Sequence, residues 1–358
     1  MAQITDVKEQ CIMNDKKSFF DKERAVDFIK SHIMYLILIV IILVFTTQSS
    51  RFLTATNLRN IINQSSYYII IGVGVALIML SGGIDLSVGY QMSLLGVVMG
   101  MLMANTTLPL AVILLITVIL GCMMSLLNGI LFIKIGVFPF VITLATQYLF
   151  NGLSYNVSNS QTFVSFPETF KIFGQGELGP IPVAVIIMVI VVIIGSILLN
   201  RTYTGRYIYA MGNNAEAVKL AGANVTKLRL LVYGLAGLFT AIGTIVYVSR
   251  TGSASSSMGP GTEFTLIASA LLGGIKMGGG GGKMSSIVLG VLILTIIQNG
   301  MQMMQMDQYS QYIVKGVVLV AAIWFDASQT KRVLKQAKQV KGEPPKDIDT
   351  PVAAQNDN

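Results

Sequence analysis

Charged side chains are scarce in this sequence: Asp, Glu, Lys and Arg make up 12% of its 358 residues, whereas hydrophobic residues make up 53%. The mean hydropathy is +0.69. Soluble domains carry about 25% charged residues, so this composition excludes an ordinary soluble enzyme. We therefore expect a chain that is embedded in a lipid bilayer.

Cysteine and histidine are also rare, with two Cys and one His. Cys11 lies in a polar N-terminal stretch and Cys122 in an apolar run, so we expect no disulfide between them. His32 borders the first apolar run, where an interfacial side chain is expected. No Cys or His spacing typical of a metal site is present, and we predict no metal ligands.

The sequence lacks the short alternating segments that predict an outer-membrane barrel. Its apolar runs instead approach the ~20 residues that a membrane-crossing helix needs. They predict an all-α polytopic membrane protein with about ten transmembrane helices. About thirty mostly polar residues precede the first run, so a cleaved export signal is not expected. The predicted spans lie near 33–47, 61–81, 88–104, 109–133, 139–153, 181–199, 228–248, 263–272, 284–301 and 309–325.

Basic residues cluster on one side of the ten predicted spans, which favours cytoplasmic N- and C-termini. The net charge of +8 therefore indicates membrane orientation rather than nucleic-acid binding. We predict an N-terminal tail over 1–30, a membrane domain over 31–328 and a disordered C-terminal tail over 329–358. The Lys and Arg residues outside the cytoplasmic segments are Arg51, Arg59, Lys171, Arg250 and Lys315.

The longest internal loop, 200–229, contains its own helix signals. Asn213 can cap a helix over about 214–221, Glu216 can complete a capping box, and Gly222 can end it in the left-handed conformation. The apolar side chains of this helix need a surface to cover them, either the membrane domain or a partner protein. These side chains are Ala215, Ala217, Val218 and Leu220.

A carboxylate stands among glycines in the motif Ser-Gly-Gly-Ile-Asp-Leu-Ser-Val-Gly at 81–89. One interpretation places Asp85 and Ser87 beside a transport path, because a buried carboxylate in a bilayer is costly. The other is that Asp85 caps the start of the following helix. A second Gly-Gly, at Gly273 and Gly274, also follows an apolar run, so the two halves of the chain are expected to share a turn.

Amides and hydroxyls recur at helical spacing in three predicted spans. Uncharged groups of this kind suit a polyhydroxylated solute better than an ion, although they also join helices by hydrogen bonds. Both interpretations stay open. The candidates for a translocation path, besides Asp85 and Ser87, are Gln64, Thr143, Gln147, Asn151, Gln298 and Asn299.

A glycine run, Gly278 to Gly282, precedes Lys283 but does not match a nucleotide-binding loop. Met277 stands where the first glycine of that loop should be, and Met284 where its hydroxyl residue should be. We predict that these glycines let the backbone turn sharply. No ATPase site is expected in this chain.

Four motifs together resemble the permease subunits of bacterial ATP-binding-cassette importers for ribose, galactose, xylose, arabinose and related sugars. They are the motif at 81–89, Thr-x-x-Gly-Arg at 202–206, the segment 212–225, and the Leu-Gly-Gly pattern with its glycine cluster at 272–282. The resemblance covers about 35–328. It implies a type II-like importer permease in a bacterial inner membrane. The unbroken run Gly278 to Gly282 departs from the family pattern.

The resemblance also implies partners and residue roles. Segment 212–225 is similar to the one that docks on the ATPase subunit, which assigns coupling roles to Asn213, Asn214, Glu216, Ala217, Leu220 and Gly222. Expected partners are a second permease copy, a cytoplasmic ATPase with two cassettes, an external sugar-binding protein received by loops 154–180 and 249–262, and membrane lipid. ATP and Mg would bind the ATPase, and this chain would bind no cofactor. Turn-forming roles fall to Gly82, Gly83, Gly89, Gly273 and Gly274.

Rival functions remain. The chain could be a secondary transporter or facilitator that needs no ATPase, a permease for a nucleoside or other polyol, or a membrane scaffold, which the polar stripes do not favour. The pair Asn128-Gly129 and Asn299-Gly300 also suggests an internal repeat. Ten spans put its members on opposite membrane sides, so either the match is chance or a span is miscounted.

Overall fold

The computed structural model describes residues 34–341, without the side chains at 325–326 and 329–341. Helices dominate this range, and the strands are two residues long. The helices are α1 (Met34–Gln48), α2 (Ala55–Leu80), α3 (Val88–Asn105), α4 (Leu110–Ile135), α5 (Pro139–Ser158), α6 (Glu168–Gln175), α7 (Val183–Arg201), α8 (Tyr203–Asn213), α9 (Ala215–Leu220), α10 (Val225–Thr251), α11 (Thr262–Leu272), α12 (Met284–Met303) and α13 (Gln308–Lys341). The strands are β1 (Phe163–Val164), β2 (Glu177–Leu178), β3 (Ile181–Pro182) and β4 (Ser253–Ala254).

The prediction of a mainly helical membrane protein is confirmed, and a helix occupies the place of every predicted span. Within residues 34–341, six helices are long and apolar enough to cross a bilayer, and α1 and α11 are shorter apolar helices. The predicted count of about ten spans goes beyond this finding. The six helices are α2, α3, α4, α7, α10 and α12.

The most apolar helices of this protein are the least buried, which is the reverse of the pattern in a soluble protein. Helices α4 and α7 are the two most apolar of the six, yet only 28% of the most apolar stretch of α4 and 22% of that of α7 is buried. The corresponding stretch of α2 is 89% buried. Water would not tolerate such a contiguous apolar exterior. The outer helices therefore face lipid tails.

Helix α2 forms the centre of the bundle, where α7, α10 and α12 surround it. Every residue from Gln64 to Leu80 is buried, because a helix with neighbours on all sides needs no polar face. Glycines permit the closest contacts, for example Gly74 against the backbone of Ala236 in α10.

The two halves of the bundle repeat the same arrangement in opposite directions. Helix α3 packs on α5 as α11 packs on α13, and α4 packs on α10 as α12 packs on α2. Tyr67 lies by Gly243 and Gly83 by Tyr233, so α2 and α10 are antiparallel. Asn128 lies by the end of α2 and Asn299 by its start, so the two Asn-Gly pairs lie at opposite ends, as the ten-span order requires.

Helix α2 begins six residues before the predicted start at 61, so the prediction of a polar loop up to Asn60 is wrong there. Thr54 caps the helix by accepting from the backbone N–H of Asn57 at 3.4 Å. The side chains of Asn57 and Asn299 exchange two hydrogen bonds of 3.0 Å. These residues form helix because their amides are satisfied inside the bundle.

Helix α11 has eleven residues and rises only about 16 Å, half of a ~30 Å apolar core. The segment that precedes α11 crosses the remaining part of this apolar core. Along α3, Ala254 lies by Gly100, Met258 by Gly96 and Gly259 by Gly89. This non-helical segment is buried at Ala254, Ser256 and Gly259, as backbone without helical hydrogen bonds must be where it lies at membrane depth.

The predicted outer loop 154–180 is more ordered than its composition suggests. Helix α5 continues to Ser158, and α6 forms around the fully buried Phe170. Strand β1 pairs antiparallel with β4 in the predicted outer loop 249–262. The two loops therefore form one joined surface. At the far end of the chain, α13 continues to Lys341; the predicted N-terminal tail and residues 342–358 lie outside the described residues.

Candidate functional site

The motif at 81–89 begins with a tight glycine turn after α2. Gly82 has a φ of +86°, and the N–H of Gly83 donates to Ile78 O at 3.0 Å. After α11, Gly274 has a φ of +91°, and the N–H of Ile275 donates to Ala270 O at 2.9 Å. The prediction that the two halves share a turn is therefore confirmed at the level of backbone geometry.

Asp85 lies at the centre of a buried polar network, and 1% of its surface is exposed. Its Oδ1 accepts from the backbone N–H of Ser87 at 2.8 Å and from Ser87 Oγ at 2.6 Å. Its Oδ2 accepts from Gln91 at 3.3 Å and from Asn128 at 3.4 Å. Asp85 thus accepts the N–H of Ser87, the residue before α3, and no N–H of the helix itself, which begins without a side-chain cap. The capping hypothesis is therefore wrong in detail.

Ser87 connects the members of this network to one another. Its Oγ donates to Asp85 and accepts from Gln91 Nε2 at 2.7 Å and Asn128 Nδ2 at 2.8 Å. One donor and two acceptor positions are the full capacity of a hydroxyl. The network therefore joins the α2–α3 connection to α3 and α4 without leaving the Ser87 hydroxyl unpaired.

Helix α5 contacts the same connection through Thr143. Its Oγ1 accepts from the backbone N–H of Leu86 at 3.1 Å, and its one hydroxyl proton can be donated to Phe140 O at 3.2 Å or to Ile84 O at 3.4 Å. The sequence analysis missed two members of the site, Gln91 and Asn128. Gln91 follows Ser87 by four residues and so shares its helix face, a signal that could have found it.

Several buried polar atoms, in this network, along α5 and at Tyr233, have no hydrogen-bond partner among the described residues. Since buried polar groups are normally paired, they mark a region that can take up water or a hydroxyl-bearing molecule. They are Gln91 Oε1, Asn128 Oδ1, Gln147 Oε1, Asn151 Oδ1, Ser154 Oγ and Tyr233 Oη.

The segment between α7 and α10 carries the predicted coupling residues. Helix α8 begins after Thr202, whose Oγ1 accepts from the N–H of Gly205 at 3.1 Å. Helix α9 ends at Leu220, and Gly222 follows in the left-handed conformation with a φ of +83°, as predicted. Leu220 is 88% exposed, and its neighbours Glu216, Ala217 and Lys219 are exposed too.

Two predictions about this segment are wrong. Asn214, not Asn213, caps α9, with its Oδ1 accepting from Ala217 N at 3.0 Å. This one-residue shift puts Ala217 where the capping box needs Glu216. Asn213 instead ends α8, a helix the sequence analysis missed, and donates to Gly280 O at 3.3 Å. Val218 is buried by the rest of the chain, which is one of the two kinds of cover that the sequence predicts for this helix.

The candidate path residues do not form one group in this structure. Thr143 lies in the Asp85 network, Gln147 and Asn151 follow it along α5, and Gln64 is buried in α2. Asn299 is occupied by its pairing with Asn57, which is the helix-joining role. Gln298 alone among the candidates lines the cavity described next.

A cavity of about 650 Å³ lies between α11, α12 and α13. This volume is in the range of small-molecule sites. Its wall is largely apolar, but four glutamines and two tyrosines reach it, and Lys315 is its one charged residue among those described. The polar lining residues are Tyr68, Thr262, Thr265, Gln298, Gln302, Gln308, Gln311, Tyr312 and Lys315.

Two predicted turn glycines prove to be close-contact positions. A Cβ on Gly89 would meet Gly259 O and the Glu263 carboxylate, and a Cβ on Gly273 would meet Ser286 O. The Glu263 carboxylate accepts from the N–H of Gly261 at 3.0 and 3.1 Å and is 1% exposed. The first turn of α3 therefore touches the α10–α11 connection inside the bundle, and a buried carboxylate lies near each, Asp85 before α3 and Glu263 in the first turn of α11.

The part of the chain that the structure describes contains no group of three His, Cys, Asp or Glu residues that could hold a metal ion. The glycine run before Lys283 turns sharply, as predicted, with positive φ at Gly279, Gly280 and Gly282.

Comparison with known proteins gives consistent matches over most of the chain. Residues 57–323 match the family described as branched-chain amino acid transport system / permease component. The galactose/methyl galactoside import permease protein MglC of Escherichia coli K12 is 33% identical over 88% of this chain and 99% of its own length. The ribose import permease protein RbsC of Bacillus subtilis is 34% identical over 83% of this chain and 92% of its length.

A third relative, the D-allose transport system permease protein AlsC of Escherichia coli K12, is 35% identical over 82% of this chain and 90% of its length. No solved structure gives a significant match. All three relatives are transport permeases by name, and each is covered almost completely.

Proposed function

This chain belongs to the family of transport-system permease components, and we propose that it is the membrane subunit of a monosaccharide importer driven by ATP hydrolysis in a separate subunit. It is a transporter subunit and not an enzyme. The observation that carries the proposal is the near full-length similarity to permeases named for galactose, ribose and allose.

The family's description names branched-chain amino acids, but the chemistry of this chain favours a sugar. An amino acid has a carboxylate and an ammonium group, which call for charged or helix-terminus partners. The wall of the cavity between α11, α12 and α13 is largely apolar, and its polar groups are amides and hydroxyls apart from Lys315. These uncharged groups can pair with the hydroxyls of a sugar. A pentose or hexose therefore fits better than an amino acid.

Energy is proposed to enter through the segment α8–α9. Leu220 and the exposed side chains beside it form an apolar and polar patch that has no cover within the described chain. A cytoplasmic ATPase with two cassettes would cover this patch through Asn214, Glu216, Ala217 and Leu220, with Asn213 and Gly222 setting the segment's ends. ATP and Mg would bind that ATPase, and this chain would bind no cofactor.

The proposed membrane topology has ten spans and both termini in the cytoplasm of a bacterial cell, with the chain in the inner membrane. The basic residues support it, because most of them fall on the α8–α9 side. The domain proposal stays as predicted: 1–30 as a tail, 31–328 as the membrane domain with the coupling loop 200–229, and 329–358 as a second tail.

The translocation path is proposed to form between two copies of the chain in a lipid bilayer. Helices α5 and α13 support this, since each leaves long apolar and aromatic stretches exposed, including Tyr148 at 69% and Tyr309 at 79%. Gln298 is the path residue with the most support, because it lines the cavity. An external sugar-binding protein would deliver the solute to the surface joined by β1 and β4.

The deciding experiment reconstitutes the purified permease in liposomes, alone and with its ATPase and binding protein. Labelled ribose, galactose, allose and leucine serve as probes. We expect sugar uptake only with ATP and both partners. Sugar movement by the permease alone would support the secondary-transporter rival, and ATP-dependent leucine uptake without sugar uptake would overturn the sugar assignment.

A further inference from the structure

Three stretches of backbone that are far apart in the sequence meet where α8 ends. They are the turn after α2, the end of α8, and the glycine run between α11 and α12. We call the four closest residues, Gly82, Gly212, Gly279 and Gly280, the glycine junction. The unbroken glycine run, which departs from the family pattern, thus has a specific position in the fold.

Hydrogen bonds hold the junction together. The N–H of Gly280 donates to Leu80 O, the last carbonyl of α2, at 2.9 Å. From α8, Asn213 Nδ2 donates to Gly280 O at 3.3 Å and Tyr209 Oη donates to Gly282 O at 3.0 Å. The glycine run is therefore bonded to α2 on one side and to α8 on the other.

The junction leaves no room for side chains. A Cβ at Gly279 would lie 2.7 Å from both Cα and N of Gly82 and 3.0 Å from Cα of Gly212. A Cβ at Gly212 would overlap Leu80 O and Gly280 N. The obstructing atoms are backbone, which cannot rotate away as a side-chain end can, so even a methyl group must push the three stretches apart.

The stretches joined here lead to two different parts of the molecule. Gly212 is followed directly by Asn213, Asn214 and α9, the proposed docking segment. Gly82 is followed by Asp85 and Leu86, which are tied to α4 and α5 by the Asp85 network and Thr143. A displacement of α9 would therefore reach α4 and α5 through the backbone contacts of the junction and the side-chain hydrogen bonds of Asn128 and Thr143.

We propose that the glycine junction positions the α2–α3 turn according to the position of α8–α9, so that Gly212 and Gly279 determine how much solute moves per ATP hydrolysed. This inference rests on the proposed function for its energy source. The contact itself, however, is a property of the permease alone and can be tested without transport.

The first test measures hydrogen exchange on the intact purified permease. Gly212→Ala should speed exchange at the amides of Gly280 and Gly83 by roughly fivefold or more, as expected for the loss of about one hydrogen bond. Gly278→Ala is the matched control, because it adds the same methyl group to the glycine run of the junction, at a position where nothing lies within 4 Å and φ is not left-handed. Unchanged exchange in Gly212→Ala would overturn the junction.

The second test measures sugar uptake and ATP hydrolysis in liposomes that contain the permease, its ATPase and its binding protein. Gly212→Ala should lower uptake per ATP by between twofold and thirtyfold, roughly the range for residues that couple sites. Tyr209→Phe removes only the bond to Gly282 O and should lower the ratio less, which covers the case in which Gly212→Ala fails to fold. Gly278→Ala should match the wild type.

The outcomes separate the two proposals. If the wild type shows no ATP-dependent sugar uptake, the proposed function is wrong, while the exchange result still decides whether the junction holds the turn. If exchange rises in Gly212→Ala but uptake per ATP is unchanged, the positioning role is overturned and the contact is structural. Equal loss in Gly212→Ala and Gly278→Ala would overturn it as well.

Discussion

Asn57 and Asn299 exchange two side-chain hydrogen bonds of 3.0 Å although 242 residues separate them in the sequence. The pair joins the start of α2 to α12, and Asn57 also donates to Phe52 O at 2.8 Å. Both side chains are buried. The amides of each residue are thus satisfied only when the two helices are in place.

Replacing one member of this pair should therefore destabilise the protein. Asn57→Leu or Asn299→Leu leaves a buried amide without its partner, and we expect the free energy of unfolding to fall by about 1–3 kcal/mol. The double variant should lose less free energy of unfolding than the two single variants lose together, and we expect the difference to be roughly 0.6 kcal/mol or more. Thermal or denaturant unfolding in detergent measures both quantities. Asn60→Leu, at an exposed position of α2, is the control, and strict additivity would contradict the pairing.

Asp85→Asn should act on folding more than on the solute. The new amide would place an N–H₂ group where the carboxylate now accepts hydrogen bonds, so we expect a loss of about 1.5–3 kcal/mol of stability. Asp307→Asn is the matched control, because Asp307 is exposed, its bonds from Ser310 lower its pKa, and Asn caps a helix as well as Asp does. Normal stability with abolished uptake in Asp85→Asn would instead assign Asp85 to the path.

The exposed patch of α9 should govern binding of the ATPase. Leu220→Glu puts a charge into the proposed interface, and we expect affinity for the ATPase to fall by roughly thirtyfold, as for a central interface residue. Leu178→Glu makes the same change at a residue that is 70% exposed on the opposite end of the bundle. Co-purification and ATPase stimulation measure the effect. Equal affinity in the two variants would rule out α9 as the docking element.

Gln298 and Gln311 should contribute to solute passage. Gln298→Leu or Gln311→Leu removes an amide from the cavity and should lower sugar uptake by roughly threefold to tenfold, the value of one neutral hydrogen bond. Gln48→Leu, at the exposed end of α1, tests the same substitution away from the cavity and from the loops proposed to receive the binding protein. Uptake of ribose, galactose and allose in the reconstituted complex provides the measurement. If all three variants transport equally well, the cavity is not on the path.

The positions of the membrane helices could be predicted from the sequence because run length and charge depend on neighbouring residues alone. The early start of α2 could not, since the polar stretch before Ile61 becomes helical through a partner in α12. Similarly, α8 has a mixed composition, and its end is fixed by Gly280, far along the chain. Long-range contacts of this kind leave no periodic signal.

The candidate site shows the same division. Asp85, Ser87 and Thr143 were found because they stand out against apolar or glycine-rich surroundings. Gln91 and Asn128 were missed, since what identifies them is their convergence on the Ser87 hydroxyl in three dimensions. The cap was misplaced by one residue because two adjacent asparagines offer the same chemistry, and only the packing of Asn213 against Gly280 decides between them.

The contact between Gly89 and Gly259 brings the backbones of two connections from opposite sides of the bundle directly together. The α10–α11 connection leads here from the surface joined by β1 and β4, and the α2–α3 connection leads here from the glycine junction. At the point where they meet, Gly89 and Gly259 are in direct backbone contact. A movement of the outer surface therefore need not be transmitted along a helix through the full depth of the bilayer. A displacement of the α10–α11 connection can reach the start of α3 at this backbone contact, and a methyl group added at Gly89 or Gly259 would push the two stretches apart.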